Sequence, residues 1–397
     1  MPLFVQHLAI FASIVFLHFV LVRPLNFPLT LAPFALVFFL SGTYRLSGLL
    51  SDLRAISLIT LVLALPMLGA LQIGYDGADG IQFLRTYALW CTAAMSILAA
   101  SLAPASVKAD IATPALAALL AITICVALQA ITSQNGDRTF FNFFGSHQYF
   151  GEIELETLAT DDRLRPPGFY LEPSFCAYVI TNLTAICLLQ DRHRGVSIAL
   201  GVISILFIQS LTGLIAFGVI LLFYTATQQR SQRTINARAV TAALLAAGPF
   251  IFLVWFFYAD YVASRTAQVD EVGSSTYYRV VGLLPVLSDT LIEYPFGYAL
   301  GRVREIVPKY LIPHGNGYGE SIDNGLYLLI FYFGWIGLIA VFLLIYKFFG
   351  LWYRGQAKLA LCLLVVLLGS FFNGGIMLPE FALLTTYIIY VARTASQ

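Results

Sequence analysis

Long apolar runs separated by short polar turns dominate the chain. A helix rising 1.5 Å per residue needs roughly 20 apolar residues to cross a bilayer core of about 30 Å. On that measure the pattern predicts spanning helices over 3–22, 27–42, 55–74, 81–103, 112–132, 173–190, 196–210, 212–227, 239–258, 323–346, 357–373 and 378–392, about twelve in all. The stretch 196–227 is too long for one crossing, and its polar, glycine-containing centre "QSLTG" (209–213) divides it into two short helices. Two long segments, 133–172 and 259–322, fall between the runs. Loops longer than about 15 residues are usually functional or disordered, and the composition of these two is not that of disorder. The first carries "RTFFNFFGSHQYF" (138–150), an aromatic cluster suited to the headgroup level. In the second, apolar positions 280, 283, 284, 287 and 291 recur at helical spacing, which predicts an amphipathic helix on the membrane surface or against the bundle.

Composition agrees with that pattern. With 59% hydrophobic and 11% charged residues and a mean hydropathy of +0.83, the chain is too apolar for a soluble domain. The expectation is a single all-α integral membrane domain over 1–397. The first run is longer than the apolar core of a signal peptide, and no small-residue cleavage site follows it before the next run, so no cleaved leader is expected. Each of the five cysteines falls inside an apolar run without metal-type spacing, so they read as small buried hydrophobes.

Charge orients the bundle. With the N-terminus inside, the cytoplasmic turns hold twelve basic residues against three acids, Asp52, Asp110 and Asp191. The opposite side holds nine basic residues against eighteen acids, with Arg85 inside a span. The asymmetry follows the positive-inside rule and places 133–172 and 259–322 outside. The basic turns are explained by orientation alone, so nucleic acid is not an expected partner.

The stretch "LRPPGFYLEPSFCAYVI" (164–180) then gains meaning. Pro166 biases Arg165 to an extended conformation, Gly168 permits a turn, and Pro173 suits the first position of a helix with Glu172 beside its N-cap. The result is a stiff lead-in that aims Arg163, Arg165 and Glu172 at the outer mouth of the bundle. A plain alternative is that Glu172 only caps the helix and Arg165 only anchors the interface. The second loop adds Arg265, Arg279, Arg302, Arg304 and Lys309, then "HGNGYGESIDNGLYLLIFYFGWIGL" (314–338), with Asp323 and Asn324 opening another outer helix. Two polar helix starts and several arginines on one face suit an anionic ligand.

Three pieces together resemble the O-antigen polymerase and O-antigen ligase superfamily of bacterial envelope enzymes, the Wzy-type polysaccharide repeat-unit polymerases. They are "RPPGFYLEPSFCAY", "QSLTGLIAF", and "YYRVVGLLPVLSDTLIEYPFGYALG" followed by "DNGLYLLIFYFGWIGL", over roughly 160–346. The ligases tend to have His-Asn where this chain has Asp323-Asn324, a departure that points away from a ligase. The resemblance implies a GT-C-like bundle of the polymerase/ligase type in the bacterial inner membrane, with its active site facing the periplasm. It implies an inverting, metal-independent glycosyltransferase without a cofactor. The donor would be a glycan on undecaprenyl diphosphate and the acceptor a sugar hydroxyl of another lipid-linked repeat unit, in an O-antigen or exopolysaccharide pathway. Chain-length regulator and flippase proteins would be its partners.

The leaving lipid diphosphate gathers negative charge, which arginine guanidinium groups can hold in bidentate fashion in place of a metal. Arg165 and Arg279 are the first candidates, Arg163 and Arg265 the second. The acceptor hydroxyl needs a base, with Glu172, Asp323 and His314 as candidates. A helix N-terminus and nearby arginines favour the Glu172 anion and weaken it as a base, yet it lies in the motif and ranks first. Tyr170, Tyr278 and Asn324, which flank these groups, complete the expected substrate-binding set. The sequence shows no HExxH-like or DxD-like metal spacing in the outer loops; Asp161-Asp162 is the nearest approach. Rival readings are a ligase, a non-catalytic assembly partner, and a transporter or flippase of lipid-linked oligosaccharide. A transporter would place its charges at the bilayer midplane, whereas here they gather in the outer loops.

Overall fold

A computed structural model describes residues 3–17, 20–22, 27–28, 53–73, 77–102, 110–134, 159–160, 163–170, 172–230, 263, 271–274, 277–314, 317–372 and 379–395. The principal helices are α1 (Leu3–Val15), α2 (Leu53–Ile73), α3 (Gly77–Leu102), α4 (Ala112–Gln134), α5 (Pro173–Leu189), α6 (Arg194–Ile208), α7 (Leu211–Arg230), α8 (Leu284–Glu293), α9 (Gly325–Tyr353), α10 (Ala357–Phe372) and α11 (Pro379–Ala395). Strands among the described residues form only two-stranded antiparallel pairs: β1 (Val20–Val22) with β2 (Phe27–Pro28), β3 (Ala159–Thr160) with β4 (Arg163–Leu164), and β5 (Pro313–His314) with β6 (Gly317–Tyr318). The chain is an all-α membrane protein. Ile56–Ile73, Ala112–Ser133 and Gly325–Tyr353 are long and apolar enough to cross a bilayer, while Leu3–Val15, Pro173–Leu189, Arg194–Ile208, Leu211–Thr227, Ala357–Phe372 and Phe381–Ala395 are shorter apolar helices.

Some expected boundaries move. The first run does not stay helical to residue 22: α1 stops at Val15, and Val20–Val22, with β-branched residues at both ends, pairs with Phe27–Pro28. The run 323–346 becomes a helix that continues to Tyr353, because the aromatic stretch past Lys347 still suits a helix. The division of 196–227 is observed: Gln209 adopts the left-handed region (φ 55°, ψ 43°) between α6 and α7. The expected spans 27–42, beyond Pro28, and 239–258 lie outside the described residues.

Two cores hold the helices. One packs α1, α4, α5, α6, α7, α10 and α11 around residues such as Ile10, Ile122, Ile180 and Tyr387. The other gathers α2, α3, α8 and the first half of α9 around Tyr278, Leu287, Phe331 and Phe333. Helix α3 packs along α11, and α9 packs along α10, so the two cores share their walls. Hydrogen bonds between helices add direction where apolar burial alone supplies little. Ser13 Oγ and Tyr387 Oη lie 2.9 Å apart between α1 and α11, and Thr123 Oγ1 and Ser204 Oγ 2.8 Å apart between α4 and α6. Gln190, just past α5, accepts from the backbone N–H groups of Ile111 (3.1 Å) and Ala112 (2.6 Å) and so caps the start of α4.

Helix α9 is broken. Gly334 has φ 53° and ψ −128° within it. A turn after α8 inserts at this point: the Tyr298 N–H donates to Phe331 O (2.7 Å), and the Trp335 N–H donates to Pro295 O (3.0 Å). The loop thereby takes both backbone groups that an unbroken helix would join between residues 331 and 335. A Cβ at Gly334 would lie 2.2 Å from Pro295 O. Non-helical backbone at membrane depth is tolerated where protein satisfies it, as this turn does.

Candidate active site

The arginine–glutamate stretch is a fastened turn. Thr160 and Arg163 pair across β3 and β4. Pro166 and Pro167 are buried, and the Tyr170 N–H closes a turn onto Pro167 O at 3.1 Å. At the turn's centre Gly168 has φ +65°, and a Cβ there would meet Cys176 Sγ at 2.9 Å. Gln129 of α4, 1% exposed, accepts from the Gly168 N–H (2.8 Å) and donates to the Gly168 carbonyl (2.9 Å). The buried Tyr170 donates its hydroxyl to Ile14 O of α1 at 3.2 Å. The turn is therefore tied to two helices before α5 begins.

Helix α5 opens as expected, with Glu172 extended at the N-cap (φ −140°, ψ 155°) and Pro173 in the first turn. The Glu172 side chain makes no capping hydrogen bond. It is exposed, and its Oε2 accepts from Ser174 Oγ at 3.0 Å. Arg165 is half-buried; its Nε is buried and has no hydrogen-bond partner. A donor left unpaired out of water is costly.

The second group forms where α8 and α9 begin. Residues Tyr278–Gly282 make one π-helical turn, a form frequent at functional sites. This turn carries Arg279, whose Nε stands 3.6 Å from Asp323 Oδ2. Both side chains are partly open, 22% and 29% exposed. The Arg279 Nε is buried and makes no hydrogen bond, so the ion pair is loose. Asp323 Oδ1 accepts from Ser321 Oγ at 2.7 Å. Asn324, fully buried, caps α9 by accepting from the N–H groups of Leu326 (3.0 Å) and Tyr327 (3.3 Å), and it donates to Arg279 O (3.4 Å). Tyr327 donates to Val280 O at 2.8 Å, and Tyr278, fully buried, donates to Ser321 O. Burial, reinforced by the charge of Asp323, pushes the Tyr278 hydroxyl well above its ordinary range, so it stays protonated and donating.

The expected site residues thus divide. Arg279, Asp323, Asn324 and Tyr278 come together. Arg165, Tyr170 and Glu172 form a separate group with the first core. Tyr170, Tyr278 and Asn324, expected to touch substrate, are buried, and their side chains bond to backbone groups. His314 contributes a backbone pair to Gly317 in the β5–β6 hairpin. Arg265, Asp161 and Asp162 lie outside the described residues. Among the described residues no group of three or more His, Cys, Asp or Glu could hold a metal ion.

The amphipathic segment is also shifted from expectation. Leu283, Val286, Leu287 and Thr290 are buried while Leu284 is exposed, because the π-turn rotates the register before α8 starts. Sequence reasoning missed Gln129, Ser321 and Tyr327. It also missed Tyr310, whose hydroxyl donates to Asp289 Oδ2 of α8 at 2.9 Å. Burial, then the Asp289 contact, push the Tyr310 hydroxyl up.

A curated protein of Escherichia coli (strain K12), named as a candidate colanic acid polymerase, is 30% identical over 238 residues. The alignment covers 55% of this chain and 55% of that protein, so the chain spans about half the length of the relative it matches. The profile of the WcaD colanic acid polymerase family matches residues 5–394, and the chain belongs to that family.

Proposed function

We propose that the protein is a polysaccharide repeat-unit polymerase of the bacterial inner membrane, with about twelve spans in one domain and its active site in the two outer loops. The growing glycan is transferred from undecaprenyl diphosphate to a sugar hydroxyl of another lipid-linked repeat unit. The acceptor oxygen attacks the anomeric carbon from the face opposite the diphosphate. The bond from that carbon to the diphosphate oxygen breaks, and the diphosphate leaves with the electron pair. Inversion follows from this single displacement. Family membership supports the class of reaction.

The observation that carries the site is the placement of Arg165 on a clamped turn and of Arg279 on a π-turn, each with a buried Nε that makes no hydrogen bond. Both offer donors without a hydrogen bond, Arg279 in only loose contact with Asp323, and such donors suit charge that develops on a leaving diphosphate. Arg163 and Arg265 assist from the same loops. The exposed Glu172 orients the acceptor hydroxyl and takes its proton, and Asp323 holds Arg279 until substrate displaces it. Chain-length regulators and a flippase work beside it, supplying and limiting lipid-linked units.

The test is transfer by the purified protein on lipid-linked repeat units. A ladder of lengthening glycans is the expected product. A single transfer onto a lipid A core acceptor would instead make it a ligase. Movement of lipid-linked units across vesicles without a new glycosidic bond would make it a transporter.

A further inference from the structure

On the side opposite the candidate active site, where α5 ends and α6 and α10 begin, lies an open cavity of about 940 Å³. Its charged lining is Arg194, Arg354, Lys358 and Asp191, three cations to one anion. Asp191 is already engaged by Arg194 and by Lys358 Nζ at 2.8 Å. Arg354, just past the end of α9, is exposed and has no ion pair or hydrogen bond from its guanidinium among the described residues. The Arg194 Nε is buried without a hydrogen-bond partner, and its guanidinium lies 5.9 Å from the centre of the Tyr224 ring.

Two helix N-termini open on the same cavity: Arg194 is the first residue of α6, and Ala357 and Lys358 begin α10. Their dipoles add positive potential to that of the side chains. The rim carries Trp352 and Tyr353, both exposed, with Phe349 and Tyr346 exposed one and two turns back along α9. Exposed aromatics at the end of an apolar helix mark the level of the lipid headgroups. The cavity therefore combines surplus positive charge, donors without acceptors and a place at the bilayer surface. A nucleotide or acidic peptide would share the charge but has no use for the aromatic rim.

We propose that this cavity holds the phosphate-bearing headgroup of an anionic membrane lipid, contacted by Arg354 and Lys358 and backed by Arg194. Basic pockets between spanning helices are a recognised form of such sites. The inference goes beyond the polymerase reading and uses none of its catalytic residues. It is read by lipid binding, so either can fail without the other.

The experiment is native mass spectrometry of the full-length protein in detergent, titrated with phosphatidylglycerol, cardiolipin or phosphatidylcholine. The wild type should retain the anionic lipids preferentially. Arg354→Gln, which removes an exposed and unpaired side chain, should weaken that retention by roughly fivefold and Arg354→Glu by more, with monodispersity and melting unchanged. Equal retention of phosphatidylcholine, or full retention of anionic lipid by Arg354→Glu, overturns the proposal. So does displacement of bound lipid by millimolar inorganic phosphate, which would assign the site to a soluble anion. If Lys358→Gln lowers the melting temperature by releasing Asp191, the Arg354 variants still decide the question.

Discussion

Gln129 holds Gly168 by both ends of its amide, accepting from the N–H at 2.8 Å and donating to the carbonyl at 2.9 Å. The clamp joins α4 to a turn 39 residues further along the chain. It lets a left-handed glycine sit buried with both backbone groups satisfied. Arg165 and Glu172 stand on either side of the clamped residue, so their positions depend on it.

Gln129→Leu keeps the side chain's bulk and removes both hydrogen bonds. Each orphaned backbone group costs about 1–3 kcal/mol. The variant should therefore melt measurably lower in detergent and make short glycans or none. Arg165→Ala, by contrast, should leave the melting temperature near that of the wild type. Unchanged melting of Gln129→Leu would show that the turn is held by other means.

Gly334→Ala tests the break in α9. Its Cβ would meet Pro295 O at 2.2 Å at φ 53°, so the inserted turn must withdraw. A loss of about 3 kcal/mol or more, or failure to insert, is expected. Gly350→Ala in the same helix meets nothing within 4 Å and should be neutral or stabilising by up to about 1 kcal/mol. Monodisperse yield and thermal melting of the two variants read the difference.

Asn324→Ala removes the α9 cap and the bond to Arg279 O. Capping losses are typically about 1 kcal/mol. Asn324→Asp keeps the cap acceptor but sets a buried carboxylate oxygen against Arg279 O in place of the donor. It should therefore lose stability beyond a cap alone and lose transfer rate as well, because the π-turn beneath Arg279 is released. Equal rates for wild type and Asn324→Asp would show that Arg279 is positioned without Asn324.

The helix start at Pro173 and the break at Gln209 were legible in the sequence because each has a local cause: a proline at a first turn, and a polar, glycine-containing stretch in an overlong run. The partners were not. Nothing near Gly168 points to Gln129, which reads as one polar residue in an apolar span. Gly334 reads as an ordinary glycine in a spanning helix until the Pro295 turn is packed against it. Arg279 was chosen from its place in a motif, but its π-turn could not be seen, since an apolar spacing of three and four residues is compatible with an α-helix. Long-range backbone satisfaction set each of these, and periodicity carries no trace of it.

Transfer should persist in chelator, since charge on the diphosphate is assigned to arginine. Activity of the purified protein on lipid-linked units is measured with and without EDTA. Loss in EDTA restored by magnesium or manganese would defeat the arginine assignment and direct attention to Asp161 and Asp162.

The arginines and the glutamate make the sharpest test. If Arg165 and Arg279 hold the diphosphate, alanine at either leaves developing charge uncompensated in a partly dry site. Removing one well-placed stabiliser of this kind costs on the order of 3–4 kcal/mol, or about 100- to 1,000-fold in rate. Lysine restores charge without the planar fork and should rescue only in part. Glu172→Gln keeps shape and removes the proton acceptor. Since the Glu172 side chain makes no capping bond, this change should leave melting unchanged while glycan chains fail to lengthen. Were Glu172 only a helix start, the same variant would make chains of normal length. The measurement is glycan length in cells producing normal amounts of each variant. Long chains from Arg165→Ala, Arg279→Ala and Glu172→Gln together would reduce the clamped turn to a structural lead-in for α5.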